Sequence, residues 1–350
     1  MPFEATSLEN LFAHDFDTII DVRSPAEFAE DHVPGAINLP VLSDVERARV
    51  GTIYTQENPF LARKIGAAIV ARNAAVHIEG PLALKDGSWR PLIYCWRGGQ
   101  RSGSFASILK AIGWRVETLA GGYQSYRRMI VASLYEQAFP APVILLDGNT
   151  GTGKTEIIQG LPALGVQSID LEGLANHRGS ALGSTGQQPM QKAFETGLAK
   201  IVGALDLTRP VVIEAESSRI GELNLPPQIF ASMRAAPRIE ISAPVRARAA
   251  YLVRAYSDAI ADCEAFAVRL DWLVRWQGRA RVEAWQADLR AGSFDEVAVE
   301  LIEQHYDPSY AKAREKSGGR VLATCDSDLL DEAGIVRLTR EVAAVVKSQR

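Results

Sequence analysis

Cysteine is scarce in this chain, with Cys95, Cys263 and Cys325 the only three in 350 residues. An odd, widely spaced set builds no disulfide framework, and no C-x-x-C pair is present to seat zinc. This usage fits a reducing compartment, with one thiol available for chemistry. Long apolar runs are also missing. The run ending at Leu146 falls far short of the ~20 residues that span a bilayer. The acid-bearing N-terminus has no apolar core of the kind a signal peptide carries. No membrane partner is expected, and the chain reads as a cytoplasmic protein. There is no basic excess either. The 38 Lys and Arg against 42 Asp and Glu leave a net charge of −4, which excludes a globally basic nucleic-acid coat but not a local basic face. Repeats and low-complexity tracts are absent, and the 47% hydrophobic content excludes a disordered or collagen-like class.

What is present reads as α/β. At ~150 residues per domain the length predicts two domains. Residues 1–135 form the first, with strand signals at 17–22, 91–94 and 116–119. Ser24-Pro25-Ala26-Glu27 marks a capped helix start. Leu61, Ile65 and Ile69 recur on one helix face. Pro140 and Pro142 cannot continue a helix, so a boundary falls there and residues 136–350 form the second domain. Its strand signals at 143–146, 166–170, 210–214 and 238–241 alternate with helix-length segments. That alternation predicts a parallel sheet with crossover helices.

Two loops carry chemistry. Gly148-Asn149-Thr150-Gly151-Thr152-Gly153-Lys154-Thr155 matches G-x-x-x-x-G-K-[ST], after an apolar strand and before a helical pattern. Its glycines let N–H groups turn around a phosphate, Lys154 adds a cation, and Thr155 is a candidate Mg²⁺ ligand. The ligand is a phosphorylated anion: ATP or GTP by default, a lipid-type diphosphate as the other choice. No N-K-x-D sequence is present, which speaks against a GTPase. Glu214 and Glu216 follow a further core strand as candidate metal or base partners. His177, Arg178 and Arg219 are candidate phosphate contacts in polar, Gly-containing loops. Beyond Mg²⁺ no cofactor is indicated. The second loop, Cys95-Trp96-Arg97-Gly98-Gly99-Gln100-Arg101, has the form Cys-x5-Arg after a strand and before a helix. Such a loop curls N–H groups around the sulfur, and Arg97, Arg101 and the helix N-terminus favour the thiolate. The same cradle suits an anionic group delivered to that sulfur. Cys263 and Cys325, in helix-like and loop segments, read as structural.

A helical segment at 234–305 is rich in Arg and Trp. Between Arg234 and Arg281 nine arginines meet five acidic residues, a local net of +4. Arg269, Trp272, Arg275, Trp276, Arg279 and Arg281 are the RNA-binding candidates, since Arg binds phosphate and Trp stacks on unpaired bases. The bland alternative is a packed helical face.

The first domain resembles the rhodanese family. The matching residues are Asp21-Val22-Arg23, Glu27-Phe28, His32-Val33-Pro34-Gly35-Ala36-Ile37-Asn38, the Cys95 loop and Leu119-Ala120-Gly121-Gly122-Tyr123. A rhodanese domain followed by a phosphate loop is a narrow combination, and the whole chain resembles the bacterial tRNA 2-selenouridine synthases. Ala175-Asn176-His177-Arg178-Gly179-Ser180, Glu214-Ala215-Glu216-Ser217-Ser218-Arg219-Ile220-Gly221 and Tyr306-Asp307-Pro308-Ser309-Tyr310 extend the likeness over nearly its full length. The resemblance implies a rhodanese-like domain joined to a P-loop NTPase-like domain. It implies conversion of wobble 2-thiouridine in tRNA to 2-selenouridine through S-geranyl-2-thiouridine, with geranyl diphosphate and selenophosphate as donors. It makes Cys95 the selenium carrier and the phosphate loop the geranyl diphosphate seat. The competing expectation is a rhodanese-type sulfurtransferase fused to an ATP-dependent kinase or nucleotidase acting on a small molecule.

Overall fold

A computed structural model describes residues 2–178, 186–315 and 319–349. The chain divides into two compact units, Met1–Glu136 with Met190–Gly203, and Gln137–Pro189 with Ala204–Arg350.

In the first unit, strands β1 (Thr18–Asp21), β2 (Ile37–Asn38), β3 (Pro91–Tyr94) and β4 (Glu117–Thr118) form a parallel sheet in the order β2-β1-β3-β4. All four residues of β3 are buried, as expected of a strand covered on both faces. Ile20 and Ile93 pack with Val70, Phe105 and Leu109 from flanking helices. The Ser24 cap forms as read, the Glu27 carboxylate accepting from the Ser24 N–H at 3.1 Å. Of the predicted helix face, Ile69 is buried and Ile65 partly so, but Leu61 is 39% exposed. The strand order turns outward from the β1–β3 pair, β2 lying on one side and β4 on the other, so the carboxyl end of β3, where Cys95 stands, lies at a topological switch point.

The helix Gln191–Gly203 belongs to this unit although it lies far along the chain. Its buried Glu195 accepts from Tyr135 Oη at 2.6 Å and pairs with Arg127. Tyr126 Oη donates to Thr196 Oγ1 at 3.1 Å. A single cut at 135/136 therefore does not describe this segment, because its buried polar groups find their partners on the helices around 122–136.

The second unit holds β5 (Val143–Gly148), β6 (Gln167–Ile169), β7 (Val211–Glu214), β10 (Arg238–Ser242) and β11 (Val321–Asp326) in a parallel sheet ordered β11-β10-β5-β7-β6. A small antiparallel hairpin pairs β8 (Arg219–Ile220) with β9 (Leu223–Asn224). The edge strand β11 and the hairpin are additions to the sequence reading, and Cys325 sits on β11 rather than in a loop. The helix Glu332–Ser348 buries Ile335, Leu338, Val342 and Val346 against the sheet. Between β10 and β11 the chain is largely helical around its own core of Phe266, Leu270, Trp285, Leu289 and Val297. Among the described residues no helix is long and apolar enough to cross a membrane.

Candidate functional site

The cysteine loop is held from below. Tyr94 ends β3, and its hydroxyl accepts from Val33 N at 3.1 Å. The Cys95 and Trp96 carbonyls accept from Tyr123 N at 2.8 Å and Gln124 N at 2.9 Å, at the start of the helix Gly122–Val131. Gly122 makes that approach feasible: its φ is +58°, and a Cβ there would stand 2.3 Å from the Cys95 carbonyl oxygen. Beneath the loop Arg23 is fully buried, paired with Asp21 at 2.6 Å and lying 3.8 Å over the Tyr123 ring. Tyr123 Oη donates to Asp31 at 2.7 Å. The Asp-Val-Arg and Gly-Gly-Tyr motifs thus build the platform under the loop.

With the carbonyls drawn away, N–H donors are left facing the sulfur. Burial pushes the Cys95 thiol up, but the Ser102 hydroxyl (3.2 Å from Sγ), the Ser102 N–H, the Arg101 charge and the Gly99 N–H outweigh it. The net effect holds the thiol below its ordinary value. The two arginines differ. Arg101 acts at a distance, because its guanidinium is engaged by Glu27 at 2.7 Å. Arg97 is exposed on the loop. Ser102, the nearest donor, went unnoticed in the sequence reading; its place directly after Arg101, in the first turn of the following helix, was the available signal.

The phosphate loop leaves β5 at the centre of its sheet and enters the helix Lys154–Gly160. Gly151 has φ +86°, and a Cβ there would stand 2.8 Å from the Arg248 carbonyl oxygen. Lys154 Nζ donates to Gly148 O at 2.7 Å, inside the loop. Burial alone would lower the Lys154 ammonium; Tyr310, Glu172, Glu216 and Asp147 hold it above its ordinary value, so it stays charged. Asp307 closes the loop from the C-terminal side, accepting from Asn149 Nδ2 at 2.9 Å and pairing with the buried Arg248 at 2.7 Å. Arg248 also donates to Thr150 O at 3.3 Å.

The acids gather beside the lysine. Glu214 is buried at the end of β7 and accepts from Glu172 N at 2.6 Å. Burial pushes it well above the usual carboxylate range, and Glu172 and Asp170 push it further. Glu216 is pushed up to about 8 by burial and by Glu172, against the pull of Lys154. Thr155 Oγ1 donates to Glu172 at 2.8 Å. These oxygens are of the kind Mg²⁺ takes. Among the described residues, however, no group of three or more His, Cys, Asp or Glu is spaced to hold a metal.

The loop opens on a cleft of about 370 Å³. Thr150 through Glu156, Glu172 and Arg178 form one part of its lining, and Tyr251, Tyr256, Trp272, His305, Tyr306 and Tyr310 give it an aromatic wall. Arg178 is held by Asp258 at 2.9 Å and over the Tyr256 ring at 4.7 Å. A second, narrow cavity of about 50 Å³ shares Thr150, Leu252, Tyr256 and Tyr306 with the cleft; its other lining is apolar, including Phe266, Leu289 and Val297. His177 and Arg219 are not in the cleft lining. His177 follows the helix Leu171–Ala175, its N–H on Glu172 O. Arg219 lies on the β8–β9 hairpin and donates to Gly221 O at 2.8 Å. Gly179 and Ser180 lie outside the described residues.

The arginine-rich segment divides by burial. Arg238 pairs inside the protein with Asp147 at 3.0 Å, and Arg248 with Asp307, so neither contributes to a basic surface. Trp285 is fully buried and donates to Glu300 at 2.7 Å, which makes it core rather than a stacking surface. Arg269, Trp272, Arg275, Trp276, Arg279 and Arg281 are all exposed.

Comparison with known proteins bears on both units. Residues 4–129 match the rhodanese-like domain and 141–272 the AAA domain of tRNA 2-selenouridine synthase. The tRNA 2-selenouridine synthase of Pseudomonas fluorescens is 32% identical over 92% of this chain and 94% of its own length. The chain belongs to the tRNA 2-selenouridine synthase family. The family member from Serratia proteamaculans is 32% identical over 87% of this chain and 88% of its own length. The one from Psychromonas ingrahamii is 37% identical over 66% of this chain. The matched part spans 62% to 64% of the length of that relative and of those from Bdellovibrio bacteriovorus and Pseudomonas syringae.

Proposed function

We propose that this member of the family converts wobble 2-thiouridine in tRNA to 2-selenouridine through S-geranyl-2-thiouridine, in the cytoplasm. One observation carries the choice of geranyl diphosphate over ATP. The cleft on which the phosphate loop opens shares Thr150, Leu252, Tyr256 and Tyr306 with an apolar cavity, which suits one ligand with a charged head and an apolar chain. In the first step the thiocarbonyl sulfur attacks the allylic carbon, and the C–O bond breaks. Diphosphate leaves onto the loop N–H groups and Lys154, donors aimed where negative charge builds up. Geranylation turns the sulfur into a leaving group that departs as a thiol rather than as sulfide. In the second step selenophosphate, seated at the Cys95 loop, attacks the same ring carbon through its selenium; the geranyl thiol departs, and water then cleaves the P–Se bond to release phosphate.

The test is mass spectrometry of wobble nucleosides after incubation with thiolated tRNA and each donor in turn. Cys95→Ala should accumulate the geranylated nucleoside and form no selenated product. Lys154→Ala should form neither. Normal selenation by Cys95→Ala refutes the role given to that thiol.

A further inference from the structure

Trp272 and Trp276 are 49% and 47% exposed, unusual for such large apolar rings. Their centroids are 4.3 Å apart. The Arg275 guanidinium lies 3.5 Å from the Trp276 ring and 4.8 Å from Trp272. The rings do not end at the surface. Trp276 is 6.1 Å from His305, and His305 is 4.9 Å from Tyr306. Trp272, His305 and Tyr306 also line the phosphate-loop cleft. A chain of tilted and edge-on ring contacts, with interplanar angles of 55°, 56° and 72°, therefore leads from the exposed helix Val274–Gln277 into the cleft, with one cation over its outer end.

We propose that Trp276, Trp272, His305 and Tyr306 form a stacking track. It receives the unpaired bases of a single-stranded RNA loop and brings the reacting base to the phosphate-loop cleft. The inference deepens the functional reading and rests on its tRNA substrate. Bases splayed out of an RNA loop stack on aromatic faces whatever their identity. Arg275, flattened against two indoles, keeps its N–H edge for the phosphate of a stacked nucleotide. Burial lowers the His305 imidazole, so at neutral pH it offers an uncharged stacking face. Arg279 and Arg281 stand exposed on the next helix, where they can follow the backbone.

The experiment compares binding of an anticodon stem–loop RNA with binding of a fully paired RNA duplex of equal length, at one fixed salt concentration. Stacking of ~1–3 kcal/mol per base corresponds to about five- to 150-fold in affinity. Trp272→Ala should weaken the stem–loop by at least about fivefold and leave the duplex unchanged; Trp272→Phe should restore most of the loss. His305→Ala should weaken the stem–loop in the same way, and His305→Phe should not. Denaturant unfolding of Trp272→Ala within ~1 kcal/mol of wild type shows that the fold is intact. Equal loss for loop and duplex, or no loss for either, overturns the track. So does displacement of the stem–loop by ATP whose affinity itself depends on Trp272, which would make the wall a nucleotide seat. Failure of the functional reading looks different: the wild type would bind the stem–loop through Trp272 yet form neither modified nucleoside.

Discussion

Replacing Ser102 by Ala tests how the Cys95 thiolate is made. The hydroxyl stands 3.2 Å from Sγ and 3.3 Å from the Gly99 carbonyl, and it has a single proton for the two. Beside a thiolate the proton turns to sulfur; beside a thiol it turns to the carbonyl. The gain is therefore a difference. A hydrogen bond to a charged group is worth ~1.5–3 kcal/mol and a neutral one ~0.5–1.5. The ~1–1.5 kcal/mol between them is about one pH unit. Ser102→Ala should raise the Cys95 pKa by about one unit and cut the thiolate fraction by up to about tenfold at pH values below the wild-type inflection. The assay is the pH dependence of Cys95 alkylation, followed by peptide mass spectrometry so that Cys263 and Cys325 do not contribute. The linkage has a definite sign. A thiol held below its ordinary value stabilises the fold most above that value, and the contribution is lost as pH falls through the folded-state value. Ser102→Ala should cost ~0.5–1.5 kcal/mol at acid pH, where the carbonyl bond is lost, and ~1–1.5 kcal/mol more at alkaline pH. An alkylation inflection that stays put, or moves down, refutes the assignment and leaves the loop N–H groups as the agents.

Three further outcomes follow from the geometry. Gly122→Ala places a Cβ against two rigid backbone atoms, the Cys95 oxygen at 2.3 Å and the Gly98 nitrogen at 2.5 Å. Beyond the ~1–2 kcal/mol of left-handed strain, the cysteine loop must move; denaturant unfolding should show more than that loss, and Cys95 alkylation should lose its low inflection. Trp285→Ala empties a core position and should cost ~3–5 kcal/mol in the same unfolding assay, whereas Trp272→Ala should cost under ~1 because half of that ring is already in water. Glu216→Gln separates two pH regimes. Below about 8 the wild-type carboxyl is protonated, so pyrophosphate affinity should match the variant at pH 6; at pH 9 the ionised wild type repels the anion and the variant should bind severalfold tighter. Equal affinity ratios at both pH values would remove Glu216 from the electrostatics of the cleft.

Both loops were legible because each is a local pattern: strand, glycines, helix, with a reactive group at fixed spacing. The strands beside them were legible because parallel strands buried on both faces read as short apolar runs. The rest depends on partners distant in sequence. Nothing in Gln191–Gly203 announces that Glu195 and Thr196 meet Arg127, Tyr135 and Tyr126, since a buried acid reads like a solvated one until its partner is placed. Strand β11 was missed because it is half exposed and its alternation is weak. Arg238 and Arg248 entered the count of basic residues as surface charge, and their acids, Asp147 and Asp307, lie about 90 and 60 positions away. A lone His such as His305 carries no sequence signal, and its ring neighbour Trp276 is 29 positions earlier.

The two loops are versions of one device. Each leaves the carboxyl end of a central parallel strand, turns through glycines and enters a helix by its N-terminus, where N–H groups and the helix dipole favour negative charge. They differ in where the anion comes from. The first loop carries its own, the Cys95 sulfur, so its strongest nearby cation, Arg101, is engaged by Glu27 and tunes the thiolate without covering it. On the proposed reading the second binds an anion that must arrive and leave. Lys154 is kept charged by surrounding acids, but its ammonium rests on the Gly148 carbonyl rather than locked in a carboxylate pair. A phosphate group can draw it away from a carbonyl far more readily than from a carboxylate. Burial pushes Glu214 and Glu216 toward the protonated form, which weakens their hold on the lysine and serves the same end. On that reading the placement of acids separates a loop that stores a nucleophile from a loop that exchanges a ligand, and it is the part of each site that the motif itself does not contain.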